Sequence, residues 1–223
     1  MNPLSGVFGE AWRTYRAHAG HLMGIAFVIF LPAAVLDYFA TLTSAGILFL
    51  GTLILMLAMF FVQAALTRSA QDLRDGQADL SIGRTLAATV PVLLPVAVVG
   101  LLAGIAISIG LDLIIVPGLF LITIWAVIIP VLVIEQPPML SAFGRSRELV
   151  RGRGWNVFGT LVLAIIILVA LNLVLGFLLF ALPLGLRNGV ATVVSGTLVA
   201  PFIVLVVTDV YYRLVATGPP VRV

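Results

Sequence analysis

The sequence predicts an all-α, polytopic membrane protein: six transmembrane helices with amphipathic helices lying at one membrane surface. Three observations predict it. Only 9% of the 223 residues are charged, 62% are apolar and the mean hydropathy is +1.24, whereas a soluble domain carries about 25% charged residues. A chain this apolar cannot present a wettable surface, so lipid must be its main solvent. The apolar residues come in stretches long enough to cross a bilayer, and nearly all basic residues fall in the polar breaks on one side.

Crossing the hydrocarbon core takes about 20 apolar residues as helix. The first span is read at 22–40, "LMGIAFVIFLPAAVLDYFA", and the second at 45–66, "AGILFLGTLILMLAMFFVQAAL". The first run is longer than a signal-peptide core and lacks a clean small-x-small site, so it is read as an uncleaved span. A polar break at 67–84 follows, with six charges. Residues 85–134 carry one ionisable group, Asp112, and split into spans at 86–111 and 117–134. The turn between them is "DLIIVPG" at 112–118, where Pro117 suits a helix start and Gly118 a chain reversal. A second break covers 135–155, and spans at 156–181 and 190–212 flank "LPLGLRNG" at 182–189. All six belong to one membrane domain, 1–223.

Orientation follows from arginine, since lysine is absent and all twelve basic residues are arginine, a bias that points to a GC-rich bacterial genome. With six spans, Arg13, Arg16, Arg68, Arg74, Arg84, Arg145, Arg147, Arg151, Arg153, Arg213 and Arg222 share one side, and Arg187 stands alone on the other. Basic residues are retained in the cytoplasm. The expectation is a multi-pass protein of the bacterial inner membrane with both termini cytoplasmic. That retention also accounts for the net charge of +3 without invoking nucleic acid.

Two segments read as interfacial helices, 5–19 and 139–152. In the second, Met139, Ala142, Phe143, Ser146, Leu149 and Val150 fall on one face and Arg145, Arg147, Glu148 and Arg151 on the other. Pro137 and Pro138 start it, Gly152 and Gly154 end it, and Trp155 marks the next membrane boundary. In the first, Phe8, Trp12 and Tyr15 share a face opposed by Glu10, Arg13 and Arg16. Setting Phe8-Gly9 on Phe143-Gly144 brings Arg16 onto Arg151 and Gly24 onto Gly159, and Ile82-Gly83-Arg84 offers a fainter third copy. This suggests three units, each an interfacial helix followed by two spans. Within the spans, Gly100, Gly104 and Ser108, and likewise Gly196 and Ala200, form small-residue ladders suited to close helix approach. Pro32, Pro91, Pro95, Pro130 and Pro201 favour kinks.

The residues Pro117, Gly118, Trp125, Pro130, Glu135, Ser146, Leu149, Val150, Arg151, Gly152, Trp155 and Gly159 form a pattern running PG-x6-W-x4-P-x4-E into "AFGRSRELVRGRGWNVFG". With "AWRTYRAHAGHL" near the start and "TDVYYRL" at 208–214, this resembles the membrane domain of bacterial membrane-anchored glycerophosphoryl diester phosphodiesterases. The resemblance covers essentially the whole chain and implies a six-helix membrane bundle. In the fused relatives a separate soluble barrel carries the chemistry, with histidines and metal-binding carboxylates. Here only "VATGPPVRV" follows the last span, so the chain resembles the membrane part alone.

No cysteine is present, which excludes disulfides, thiolate metal sites and a catalytic thiol. His18 and His21 stand three apart with only Glu10 nearby, short of a metal set. No phosphate-binding glycine loop, HExxH or GxSxG occurs. The reading is therefore non-enzymatic, with no cofactor and no metal. Charges at membrane depth need partners or water. Asp37 and Asp112 fall near the outer ends of spans one and three, while Glu135 and Asp209 lie toward the arginine-rich side. Glu135, Asp209 and Arg213 are expected to form a supporting network with Arg147 and Arg151. Arg145, Arg147, Arg151 and Arg153 are the candidate lipid-headgroup residues, because a planar guanidinium matches a phosphate. The expected function is a scaffold or accessory protein binding anionic phospholipid at the cytoplasmic face. The alternative is a transporter or lipid translocator. A membrane-protein partner or a second copy of the chain is compatible with either.

Overall fold

The computed structural model describes residues 4, 6–41, 45–76 and 81–217, with side chains described outside 37–50 and 184–185. Asp37 and Arg222 therefore lie outside the described side chains. The described chain is predominantly helical, with no strand among the described residues. A short helix α1 (Val7–Ala17) leads into α2 (Ala19–Thr41), α3 (Ala45–Arg74) and α4 (Ile82–Leu113). Next come α5 (Ile115–Ile124), a single turn α6 (Ile128–Pro130) running into a π-helical turn at Val131–Glu135, and α7 (Ser141–Val150). Helices α8 (Gly154–Leu178) and α9 (Leu184–Thr217) complete the chain.

Six segments are long and apolar enough to cross a membrane, the fourth being the broken run Ile115–Glu135. The protein is a multi-pass, all-α membrane protein. At about 1.5 Å per residue, α3, α4 and α9 are longer than a hydrocarbon core of roughly 30 Å requires. Their extra turns carry Arg74, Arg84 and Arg213 out at one end of the bundle. The polar break expected at 67–84 is therefore helical up to Arg74. The expected turn at 112–118 shrinks to Ile114, whose extended backbone separates α4 from α5. Pro117 lies in the first turn of α5, where its missing N–H costs nothing. Gly110 and Gly118 let this hairpin close, since a Cβ on Gly110 would stand 3.1 Å from the Gly118 backbone.

Helices α2, α3 and α9 pack on one another and hold most of the buried side chains, including Leu22, Ile25, Phe30, Val62, Leu66 and Leu214. The small-residue positions work as sockets for rings rather than as close backbone crossings. Gly196 of α9 receives the ring of Phe30, which a Cβ would meet at 2.5 Å, and Gly100 of α4 receives Phe60 of α3. Gly104 faces open space. Buried Thr89, Thr123 and Thr160 each donate to the carbonyl four residues back, so they enter hydrocarbon already satisfied.

The fourth span is not the continuous helix expected at 117–134. Its α-helical bonding lapses at 125–127, where Ala126 N–H reaches only Thr123 O. Pro130 then contributes no N–H, and the chain leaves through a π turn that ends at Gln136 in the left-handed region. Side chains from other elements answer the loosened carbonyls: Ser146 Oγ donates to Ile124 O at 2.9 Å, and Arg68 donates to Val133 O at 3.3 Å. Near Pro201, which lies inside α9, Tyr15 of α1 donates to Leu198 O at 2.9 Å.

The suggested repeat has a counterpart in the packing. In the register that sets Phe8 on Phe143, buried Val7 coincides with Ala142, Ala11 with Ser146 and Leu22 with Val157. Phe8 meets Phe202 of α9, Phe143 meets Trp125 at the end of α5, and Ile82 lies over Gly24 of α2. Each unit's leading segment thus rests on the unit before it in cyclic order. The third copy differs, because Ile82–Arg84 is the first turn of α4, capped by Ser81, and not a separate helix.

The ring sockets set a stability expectation. Gly196→Ala should destabilise the extracted protein by about 1–3 kcal/mol, since the ring of Phe30 must move. Gly104→Ala, in open space, should leave the thermal midpoint unchanged, and Phe30→Leu should partly rescue Gly196→Ala. Thermal unfolding in mild detergent reads all three; equal midpoints for Gly196→Ala and Gly104→Ala would contradict the socket.

Candidate functional site

One end of the bundle gathers α1, α7 and the ends of α3, α5–α6 and α9, and with them nearly all the described charge. Helix α7 forms where its apolar residues recur at helical spacing. It begins at Ser141, which donates through both N–H and Oγ to Pro138 O. It ends where Gly152 adopts a φ of +80° that a side chain would resist. Ala142, Ser146, Leu149 and Val150 are buried against the bundle. The expected apolar face is therefore real, but it packs on protein rather than floating in the acyl boundary. Met139 stays exposed ahead of the helix, and Trp155 is exposed at the start of α8.

Two ionic clusters hold this end together. In the first, Arg145 Nε lies 2.9 Å from Glu135 Oε2, Tyr211 OH donates to Glu135 Oε1 at 3.0 Å, and Arg145 Nη1 stands 3.5 Å from Glu148. The Arg145 and Glu135 side chains are only 11% and 10% exposed. The hydrogen bond to Glu135 holds the Arg145 guanidinium pKa above its ordinary value, so it stays charged. In the second, Glu10 pairs with Arg213 at 2.8 Å and approaches Arg74 at 3.9 Å, while Arg74 pairs with Asp209 at 3.2 Å. Arg74 also lies 4.2 Å over the ring of Tyr212, a cation–π contact. The Tyr211 and Tyr212 rings touch at 5.3 Å, so adjacent residues of α9 join the clusters.

This pairing corrects the expected one. Glu135 binds Arg145, not Arg147 or Arg151. Asp209 pairs with Arg74, and Arg213, whose charge also acts on Asp209 as expected, pairs with Glu10. Arg145, expected among the headgroup ligands, is turned inward and committed to Glu135. Arg153 donates to the carbonyl of Thr217, placing a cation on the C-terminal end of α9 where the helix dipole favours it. Arg147 and Arg151 remain exposed with no ionic partner among the described residues. Glu10, Arg74 and Tyr211 were missed as network members because their partners lie far away in sequence.

Between α5 and the α7–α8 turn runs a groove of about 620 Å³, floored by Phe120, Ile124 and Val150, with Arg147, Glu148 and Arg151 on its other wall. It adjoins a second cavity of about 680 Å³ that shares Phe120, Ile124, Gly152 and Gly154 and extends along Val116, Leu119, Trp155 and Phe158. The space exists because α8 packs on α9 and barely touches α5. Arg153 borders the second cavity. His18 Nδ1 lies 3.4 Å from Thr14 O, and no group of three metal-ligating side chains occurs among the described residues. Comparison with protein-family models, curated proteins and solved structures found no match.

The inward pair has a measurable signature. Glu135→Ala and Arg145→Ala should each cost about 1–3 kcal/mol, because each strands a partly buried charge. Their double variant should fall well short of the sum, whereas Glu135→Ala with Arg147→Ala should be additive. A thermal-shift cycle in detergent distinguishes these outcomes.

The second cluster has a pH signature. The hydrogen bond from Arg213 holds the Glu10 carboxyl below its ordinary value of 4.5. A depressed carboxyl contributes stability above its unfolded value and loses it as pH falls through the folded one. Acidification from about pH 6 toward pH 3 should therefore lower the thermal midpoint of the native protein more than that of Glu10→Gln. Parallel pH profiles for the two proteins would rule Glu10 out as the source.

Proposed function

We propose that this integral membrane protein is a non-enzymatic scaffold or accessory protein that holds an anionic phospholipid at its arginine-rich end. One observation carries the reading: an apolar groove opens between α5 and the α7–α8 turn, with Arg147 and Arg151 exposed on its wall. An acyl chain fits beside Phe120, Ile124 and Trp155, and the guanidiniums of Arg147 in α7 and Arg151 in the turn after it can fork onto the phosphate. Arg153 stands at the border of the same space, and Arg145 acts beneath it by fixing α7. The excess of arginine at this end supports a cytoplasmic placement in a bacterial inner membrane.

The broken span α5–α6 gives a second reading, a lipid translocator, because interrupted helices border substrate paths in transporters. Against it, Thr89, Thr123 and Thr160 use their hydroxyls within their own helices instead of lining a path.

The test is the anionic phospholipid that co-purifies with the native protein and with Arg147→Lys/Arg151→Lys, at low and high salt. Surface attraction alone fades with salt and reads only charge, so both proteins would then lose lipid equally. A shaped site should make the lysine variant lose lipid several-fold at high salt while the native protein keeps it. A reporter fused after residue 154 should read cytoplasm in both. Equal retention would end the headgroup reading, and movement of labelled lipid across reconstituted vesicles would replace it with translocation.

A further inference from the structure

Helix α8 is the least covered span: of its residues only Val157, Thr160 and Ala164 are buried, all in its first half. Its second half contains a polar side chain with no obvious business there. Asn172 is exposed, and its amide nitrogen donates to Leu168 O of the same helix at 2.9 Å. That bond leaves the amide oxygen and one N–H without a partner among the described residues. At about 1.5 Å per residue, Asn172 stands roughly 25 Å beyond Trp155, still inside a hydrocarbon core of about 30 Å. Acyl chains cannot satisfy an amide, and polar side chains in lipid find partners across helices.

We infer that α8 is a homodimer interface in which Asn172 of one copy meets Asn172 of a second copy of this chain. Membrane insertion gives every copy the same orientation, so a two-fold axis lies along the membrane normal. Such an axis brings identical residues together at equal depth. A carboxamide is both donor and acceptor, so two of them complete each other without any further design. A different protein would have to place a matching group at that depth independently. One turn on, Gly176 has open space where its Cβ would be, so two backbones can approach there. Ile165 and Val169, exposed at the same four-residue spacing, extend the face toward the arginine-rich end. The face continues, deeper along α8, the side on which Phe158 lines the second cavity, and it is turned from the buried Val157, Thr160 and Ala164.

The absence of native cysteine makes single-cysteine reporters unambiguous. The protein is expressed in membranes with one cysteine at Val169, Gly176, Leu163 or Ala170, and oxidised. Val169→Cys and Gly176→Cys should give a disulfide-linked species of twice the monomer mass, while Leu163→Cys and Ala170→Cys, on the opposite face, should not. Adding Asn172→Leu to Val169→Cys should reduce cross-linking about tenfold, and Asn172→Gln should restore much of it. Thermal midpoints equal to that of the parent confirm that each variant is folded. Equal cross-linking on both faces, no cross-linking at either reporter, no effect of Asn172→Leu, or a conjugate to a protein of another mass would each overturn the inference.

Discussion

A helix that breaks inside a membrane must replace its lost backbone hydrogen bonds, because hydrocarbon offers none. The rest of the arginine-rich end is organised around the place where this chain breaks one. Ser146 answers the carbonyl of Ile124, Arg68 answers that of Val133, and Arg145 closes on Glu135 where the π turn ends. Two of these three donors belong to α7, so repair of the broken span and placement of α7 are the same event. Tyr211, bonded to the other oxygen of Glu135, extends the arrangement to α9.

Charge at this end divides into a structural part and a free part. Arg74, Arg145, Arg153 and Arg213 face carboxylates or a carbonyl and link α1, α3, α7, α8 and α9. Pairs of this kind cost desolvation as well as gaining attraction, so their value lies in fixing which helices meet. Arg147 and Arg151 take no part in that linkage among the described residues and line the groove beside α5.

The apolar part of the bundle obeys a different rule. Between helices already in lipid there is no hydrophobic driving force, so close packing and interhelical polar contacts must supply the attraction. Phe30 in the hollow over Gly196 and Phe60 over Gly100 supply packing where α2, α3, α4 and α9 meet. Helix α8 has few such contacts. That leaves both the groove toward α5 and the uncovered amide of Asn172.

By itself the sequence determined the class, the number of spans and the side on which arginine collects, because each follows from local composition against a fixed hydrocarbon thickness. It also determined that an amphipathic helix lies within 139–152, observed as Ser141–Val150, since that depends only on spacing. Tertiary structure decided the rest. Composition at 117–134 reads as one span, and only the neighbouring Ser146, Arg68 and Arg145 make a break there tolerable. Four arginines between 145 and 153 look alike in sequence. Their partners, Glu135 and Thr217, are chosen by the fold, and Arg147 and Arg151 have no ionic partner among the described residues. Likewise Glu10 and Arg213 stand at opposite ends of the chain and meet only because α1 packs on α9. Periodicity reports which face a residue occupies; what that face meets depends on contacts between distant segments.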